Sequence, residues 1–283
     1  MTAILVGLNY HRIGGRDPAN PFHRLHSVDR AVFEAQIGHA RKLGQFVPLD
    51  DVAAGRLADG VSFLLTFDDV SDTVDAVRGW LRDQRIAFHV CPSTGIATDG
   101  FGTRDKVNWI IDRLDPATIA AAHEAAFGPQ QEDFYQFTKA RDRMPEEIEA
   151  KLIEPLFALV DSVEFHTQTA YLSWDELRRD YAGAPGIGVV SHGAGHRRME
   201  LMDEAAITTE IDAAEAAFAA GLGAVPADFA VPFGEFDAGL AGRLDRVLGP
   251  RGYRTILWID RSANLMPDRP PAGRSISGGC TRR

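Results

Sequence analysis

Two groups of side chains in this sequence could do chemistry together. The first is the adjacent carboxylate pair Asp68-Asp69, which follows an apolar run over residues 61–65 through Thr66 and Phe67. An apolar run of that length bounded by turn residues reads as a buried strand. In α/β sheets and barrels, reactive groups gather at the carboxyl ends of the strands. Consecutive acids there point in different directions, so one can bind a cation while the other faces a reacting water. The alternative is structural, an Asp capping a helix N-terminus beside a solvated neighbour.

The second group is Ser191-His192-Gly193-Ala194-Gly195-His196, directly after a strand expected over residues 186–190. Histidines at i and i+4 can present both imidazoles on one side of a helical turn, a spacing that zinc sites use. A catalytic zinc takes three protein ligands and keeps a fourth position for water. His192, His196 and one of Asp68 or Asp69 would complete such a set. Gly193 stands where an H-E-x-x-H site carries its glutamate, so the spare aspartate is the natural general base.

Both groups need strands that end at one place, and the apolar pattern supplies them. Strands are expected over residues 4–8, 61–65, 86–90, 186–190, 229–231 and 254–259. Between them lie amphipathic helices. One starts near Ser27, with Phe33, Ile37 and Ala40 on one face and Gly44 at its C-cap. Another follows Ser71 with Val74, Val77 and Leu81, and a third over residues 205–220 carries Ile207, Ile211 and Phe218. Strand–helix alternation predicts a parallel α/β architecture. Between about residues 99 and 161 the pattern loosens into helices at 106–114, 116–126 and 145–159, read as a helical insertion that could overhang an active site. Residues 1–260 are thus expected to form one parallel α/β domain, and 261–283, rich in Pro, Gly, Ser and Arg, a mobile tail.

Composition narrows the partners. The chain has 283 residues, 45% hydrophobic and 25% charged, which suits one globular α/β domain. Its net charge of −10 argues against a nucleic-acid backbone, which needs a basic footprint. Cys91 and Cys280 make neither a disulfide framework nor a thiolate metal site. No secretory pattern and no membrane-spanning run is present, so the chain is expected to be cytoplasmic with a soluble substrate.

Taken in order, Thr66-Phe67-Asp68-Asp69, His192-x-x-x-His196 and Phe229-Ala230-Val231-Pro232-Phe233-Gly234 resemble the first three motifs of the NodB-homology polysaccharide deacetylases, carbohydrate esterase family four. Tyr10-His11-Arg12-Ile13 and Leu172-Ser173-Trp174 fit the same family, and the match covers most of residues 3–260 outside the insertion. The resemblance implies a distorted (β/α)7 barrel and metal-dependent hydrolysis of an acetyl group, usually on a sugar. It implies that Asp69, His192 and His196 hold a divalent metal, zinc before others. Asp68 would then be the base for a metal-bound water, and the backbone N–H of Phe233 a donor to the oxyanion.

Several positions depart from the family. Ala230 stands where an arginine usually orients the base, so Asp68 must be positioned otherwise. Gly193 replaces a Ser or Thr, and Val70 replaces a glycine. No histidine follows His196 to serve as acid. In the permuted poly-N-acetylglucosamine deacetylase-like branch, a small residue occurs at the arginine position and the acid comes from an N-terminal Tyr-His. That resemblance makes His11 the general acid, with His166 as the alternative. Trp258 could stack on a sugar ring. The expected activity is N-deacetylation of an amino sugar or a sugar-bearing biosynthetic intermediate. The alternatives are hydrolysis of another small amide such as a formamide, and a catalytically inactive glycan-binding relative.

Overall fold

The computed structural model describes residues 3–14, 27–129, 132–139, 145–168, 171–260, 264–266 and 275–279. Seven strands run in parallel series: β1 (Ala3–Tyr10), β2 (Gly60–Asp68), β3 (Phe88–Cys91), β4 (Ile187–Val189), β5 (Asp228–Ala230), β6 (Thr255–Asp260) and β7 (Ser275–Gly279). β4 hands over to β5 through a single parallel bridge between Ser191 and Phe229. At the far end β7 lies beside β1. The α/β class expected from the sequence is the one observed.

β2 organises the rest. It runs three residues beyond the apolar stretch, so Thr66, Phe67 and Asp68 belong to the strand and only Asp69 lies past its end. Every residue from Ser62 to Asp68 is buried, because parallel neighbours flank the strand and both its faces are covered. Its register sets Tyr10 opposite Phe67 and Cys91 opposite Asp68. The ends of β1, β2 and β3 therefore meet at one rim.

The first helix covers Arg30–Leu43, starting later than Ser27 because Ser27–Val28 pairs in parallel with Arg12–Ile13. Phe33, Ile37 and Ala40 are buried as their spacing requires. Gly44 ends the helix in an extended conformation, φ −172°, and not in the left-handed one expected of a glycine C-cap. Glycine is needed there for closeness: a Cβ would lie 2.0 Å from the Val61 carbonyl oxygen.

Between β3 and β4 the chain builds a helical layer with its own apolar core. Helices Thr103–Arg113 and Pro116–Phe127 bury Val107, Trp109, Ile110 and Ile119 against Leu152, Leu156 and Phe165. The stretch from Pro145 to Phe157 is helical throughout, with a π-helical segment at Glu149–Ile153. Such segments recur at functional sites, and Glu149 does line the cleft described below. Two strands arise in the part of the chain read from sequence as a tail. Asn264–Met266 runs antiparallel to the start of β1, and Ser275–Gly279 is β7 itself. The other residues of 261–283 lie outside the described ones. No helix among the described residues is long and apolar enough to cross a membrane.

Candidate metal centre

Asp69, His192 and His196 converge beyond the rim where β2 and β4 end, with one donor atom from each lying within 4.8 Å of the others. Asp69 Oδ1 is 3.3 Å from His196 Nε2 and 3.9 Å from His192 Nε2. Zinc bonds of about 2.0–2.2 Å at tetrahedral angles separate donors by about 3.3–3.6 Å. The carboxylate's distances to the two imidazoles approach that range, so the three side chains form a donor set that suits a divalent cation. Asp68 supplies no atom to this set.

The protonation of the ligands suits the same purpose. His192 Nδ1 lies 2.9 Å from the Ala230 carbonyl oxygen, an acceptor only, so Nδ1 carries the proton and Nε2 presents its lone pair. Burial pulls the pKa of His196 down to about 4, against the opposing field of Asp69, so its imidazole is neutral at pH 7.

The histidines do not share a helical turn. Residues 192–196 form an irregular loop in which Gly193 has φ +77° and His196 φ +49°. Glu210, buried on helix Glu204–Leu222, shapes this loop: its Oε1 accepts from the backbone N–H groups of Ala194, 2.8 Å, and Gly195, 2.6 Å. The left-handed backbone and a hypothetical Cβ only 3.0 Å from Glu210 Oε1 account for glycine at 193. Replacing Glu210 by alanine removes two charge-assisted bonds from the segment joining the ligands. Metal affinity is then expected to fall about 10–100-fold, the range typical for groups that orient metal ligands. Titration with a competing chelator measures it, and affinity unchanged from wild type would show that the loop holds its shape alone.

Asp69, Val70, His196 and Phe233 are four of the five non-glycine residues with positive φ among the described residues. Strain of this kind costs roughly 1–3 kcal/mol per residue and collects at functional sites. Val70 illustrates how it is offset. The side chain standing in place of glycine is fully buried with Phe67 and Val74, and burying a valine contributes roughly 1.5–3 kcal/mol.

Asp68 is buried at the end of β2, and Asn9 on β1 donates its Nδ2–H to Asp68 Oδ2 at 2.5 Å. A neutral amide from the neighbouring strand thus holds the carboxylate where Ala230 cannot. The Cys91 thiol also hydrogen-bonds Asp68, and burial first, then Asp68 itself, pushes that thiol well above its ordinary pKa. His11, Asp68, Asp69, His192, His196 and Phe233 all line one inner cavity of about 100 Å³. The cavity continues into an outer cleft of about 300 Å³ walled by the helical insertion.

His166 lies apart from both. It is exposed, pairs with Asp161 at 2.8 Å, and is absent from the cavity walls. Trp258 is stacked on Phe236, ring centroids 4.1 Å apart. The Phe233 ring packs 4.7 Å from that of His196, and the Arg198 guanidinium lies 4.5 Å from its centroid.

Three supporting residues escaped the reading of the sequence: Asn9, Asp105 and Glu210. Glu210 alone left a local trace, a carboxylate on the helix face otherwise made of Ile207, Ile211 and Ala214.

Neither a protein-family model nor a curated protein matches the sequence. Solved structures do. IcaB from Ammonifex degensii aligns over 99% of this chain and 92% of its own, with TM-score 0.61 and 17% identity. The deacetylase PplD from Streptococcus pyogenes, solved in complex with acetate, aligns over 99% and 93%, with TM-score 0.59 and 13% identity. The BpsB deacetylase domain from Bordetella bronchiseptica aligns over 98% and 97%, with TM-score 0.52 and 11% identity. From the rim-forming parallel strands to the cleft above them, this chain has the fold of the polysaccharide deacetylases.

Proposed function

We propose that this protein is a metal-dependent hydrolase that removes an N-acetyl group from an amino sugar or a sugar-bearing intermediate. The observation that carries the reading is the single inner cavity lined by the three-donor set, the buried carboxylate of Asp68 and the imidazole of His11. Likeness to structures of deacetylases supports it.

Asp69, His192 and His196 hold the cation, zinc in the first instance, within residues 1–260 of the barrel. A divalent ion there supplies Lewis acidity, polarising the acetamide carbonyl and acidifying water. Asp68, fixed by Asn9, takes the proton of the attacking water. The backbone N–H of Phe233 donates to the carbonyl oxygen as it becomes an oxyanion. His11 gives a proton to the departing amine, so that acetate and a free amino sugar leave. The insertion, over about residues 99–161, walls the cleft and limits which sugar enters.

The test is metal removal. Purified protein is expected to carry a stoichiometric divalent cation and to release acetate from N-acetylated amino sugars. Chelation should abolish release and added zinc restore it. Formate in place of acetate would give the formamide reading. Bound metal and bound sugar with no product would give the inactive glycan-binding one.

A further inference from the structure

One cation in the cleft has no part in the chemistry above. Arg104, on helix Thr103–Arg113, lines both the inner cavity and the outer cleft. Its Nη1–H donates to Thr138 Oγ1 at 2.9 Å and its Nη2–H to the Thr138 carbonyl at 3.0 Å, with the Tyr135 ring 5.8 Å away. The other arginines on these walls are matched to acids: Arg12 to Asp105, Arg197 to Glu146 and Arg198 to Glu200. Among the described residues, Arg104 has no carboxylate within ion-pair distance.

A guanidinium carries five N–H donors in a planar fork, and the two Thr138 contacts leave donors to spare. Arg104 is half-buried, and Glu149 and Asp105 act on it only from beyond ion-pair distance, so part of the cost of desolvating the charge is left uncompensated. Burial, reinforced by the field of Arg198, pulls the pKa of Arg104 down to about 10, still charged at pH 7. The planar fork matches a carboxylate or phosphate. In a chain of net charge −10 there is no long-range attraction for an anion, so recognition has to be local.

We propose that Arg104 is an oxyanion subsite, and that the substrate carries a carboxylate or phosphate on the sugar whose acetamide reaches the metal centre. The proposal takes the cleaved bond from the function proposed above, but the binding of the anion stands independently of it.

The experiment therefore uses sugars without an acetamide. Metal-loaded protein is titrated calorimetrically with glucuronate, glucose 1-phosphate and, as neutral control, methyl glucoside. At least one anionic sugar is expected to bind about 10–100-fold more tightly than the control, the range of a hydrogen bond to a charged group. Arg104→Gln should remove that advantage, whereas Arg104→Lys should keep part of it. Tighter binding of the phosphate or of the uronate identifies which anion the site takes. Thr138→Val, which loosens the guanidinium without removing it, serves if Arg104→Gln does not fold, and should weaken only the anionic ligand. Equal binding of charged and neutral sugars, no binding of either anion, or anion binding indifferent to Arg104→Gln and Thr138→Val would overturn the subsite. Arg104-dependent anion binding with no acetate release from any N-acetyl sugar would instead remove the proposed reaction and leave the subsite standing.

Discussion

Asp68→Asn is expected to leave the metal bound and to remove nearly all turnover. The substitution conserves volume, and the new amide oxygen can still accept from Asn9, which donates to Asp68 Oδ2 in the wild type. No donor atom is lost from the proposed cation site, which draws on Asp69, His192 and His196. What is lost is a group able to accept a proton, and general bases contribute about 10²–10⁴ in rate. The fall should appear in kcat, with KM within about threefold, because the interaction removed belongs to the transition state. Asp69→Asn is the contrast, in which metal content and activity fall together. Elemental analysis beside acetate-release kinetics separates the two. If Asp68→Asn kept a tenth or more of wild-type kcat, another group would have to be the base.

The parts of this site that the sequence revealed are those encoded locally. A buried run followed by Asp68-Asp69, and a strand followed by His192 and His196, mark two strand ends whatever the rest of the chain does. Their meeting follows from parallel topology, since reactive groups at carboxyl ends share one rim. The loop carrying the histidines is not the helical turn that the i, i+4 spacing allows, because Glu210 and the left-handed Gly193 decide its course. Asn9 was invisible for a similar reason, because its contact with Asp68 spans 59 positions and exists only through the pairing of β1 with β2. Val70 argues the point from the other side. A β-branched residue is among the least suited to positive φ, yet packing with Phe67 and Val74 keeps it there. In β7, Ser-Ile-Ser-Gly-Gly carries a single large apolar residue, so its strand character comes from pairing with β6 and not from its own composition.

The largest stability change is expected on the wall of the inner cavity, where the strands hold the helical layer between β3 and β4. Arg12 follows the proposed acid His11, and its Nη2 donates to the Tyr171 hydroxyl at 2.8 Å and lies 3.4 Å from Asp105 Oδ1. Tyr171 in turn donates to Asp105 Oδ2 at 2.8 Å, as does the backbone N–H of Gly102 at the start of the insertion helix. Arg12 and Asp105 are both buried. A buried ion pair is a weak source of net stability, but removing one member strands the other, at a cost of about 3–5 kcal/mol. Arg12→Met should cost that much in urea unfolding, whereas an exposed pair would cost about 1 kcal/mol or less. The sign of its pH dependence can be stated as well. Burial already raises the Asp105 pKa above its ordinary value, even with Arg12 beside it pulling the other way. Without Arg12 the folded-state pKa rises further, so the folded protein binds the proton more tightly than the unfolded chain does. Stability is then lost as pH rises through that window and regained as pH falls. The deficit of Arg12→Met should accordingly be smaller at pH 5 than at pH 8. A deficit that grew on acidification would mean that Asp105 had found another cation, and that the helical layer is fastened to the strands by something other than this triad.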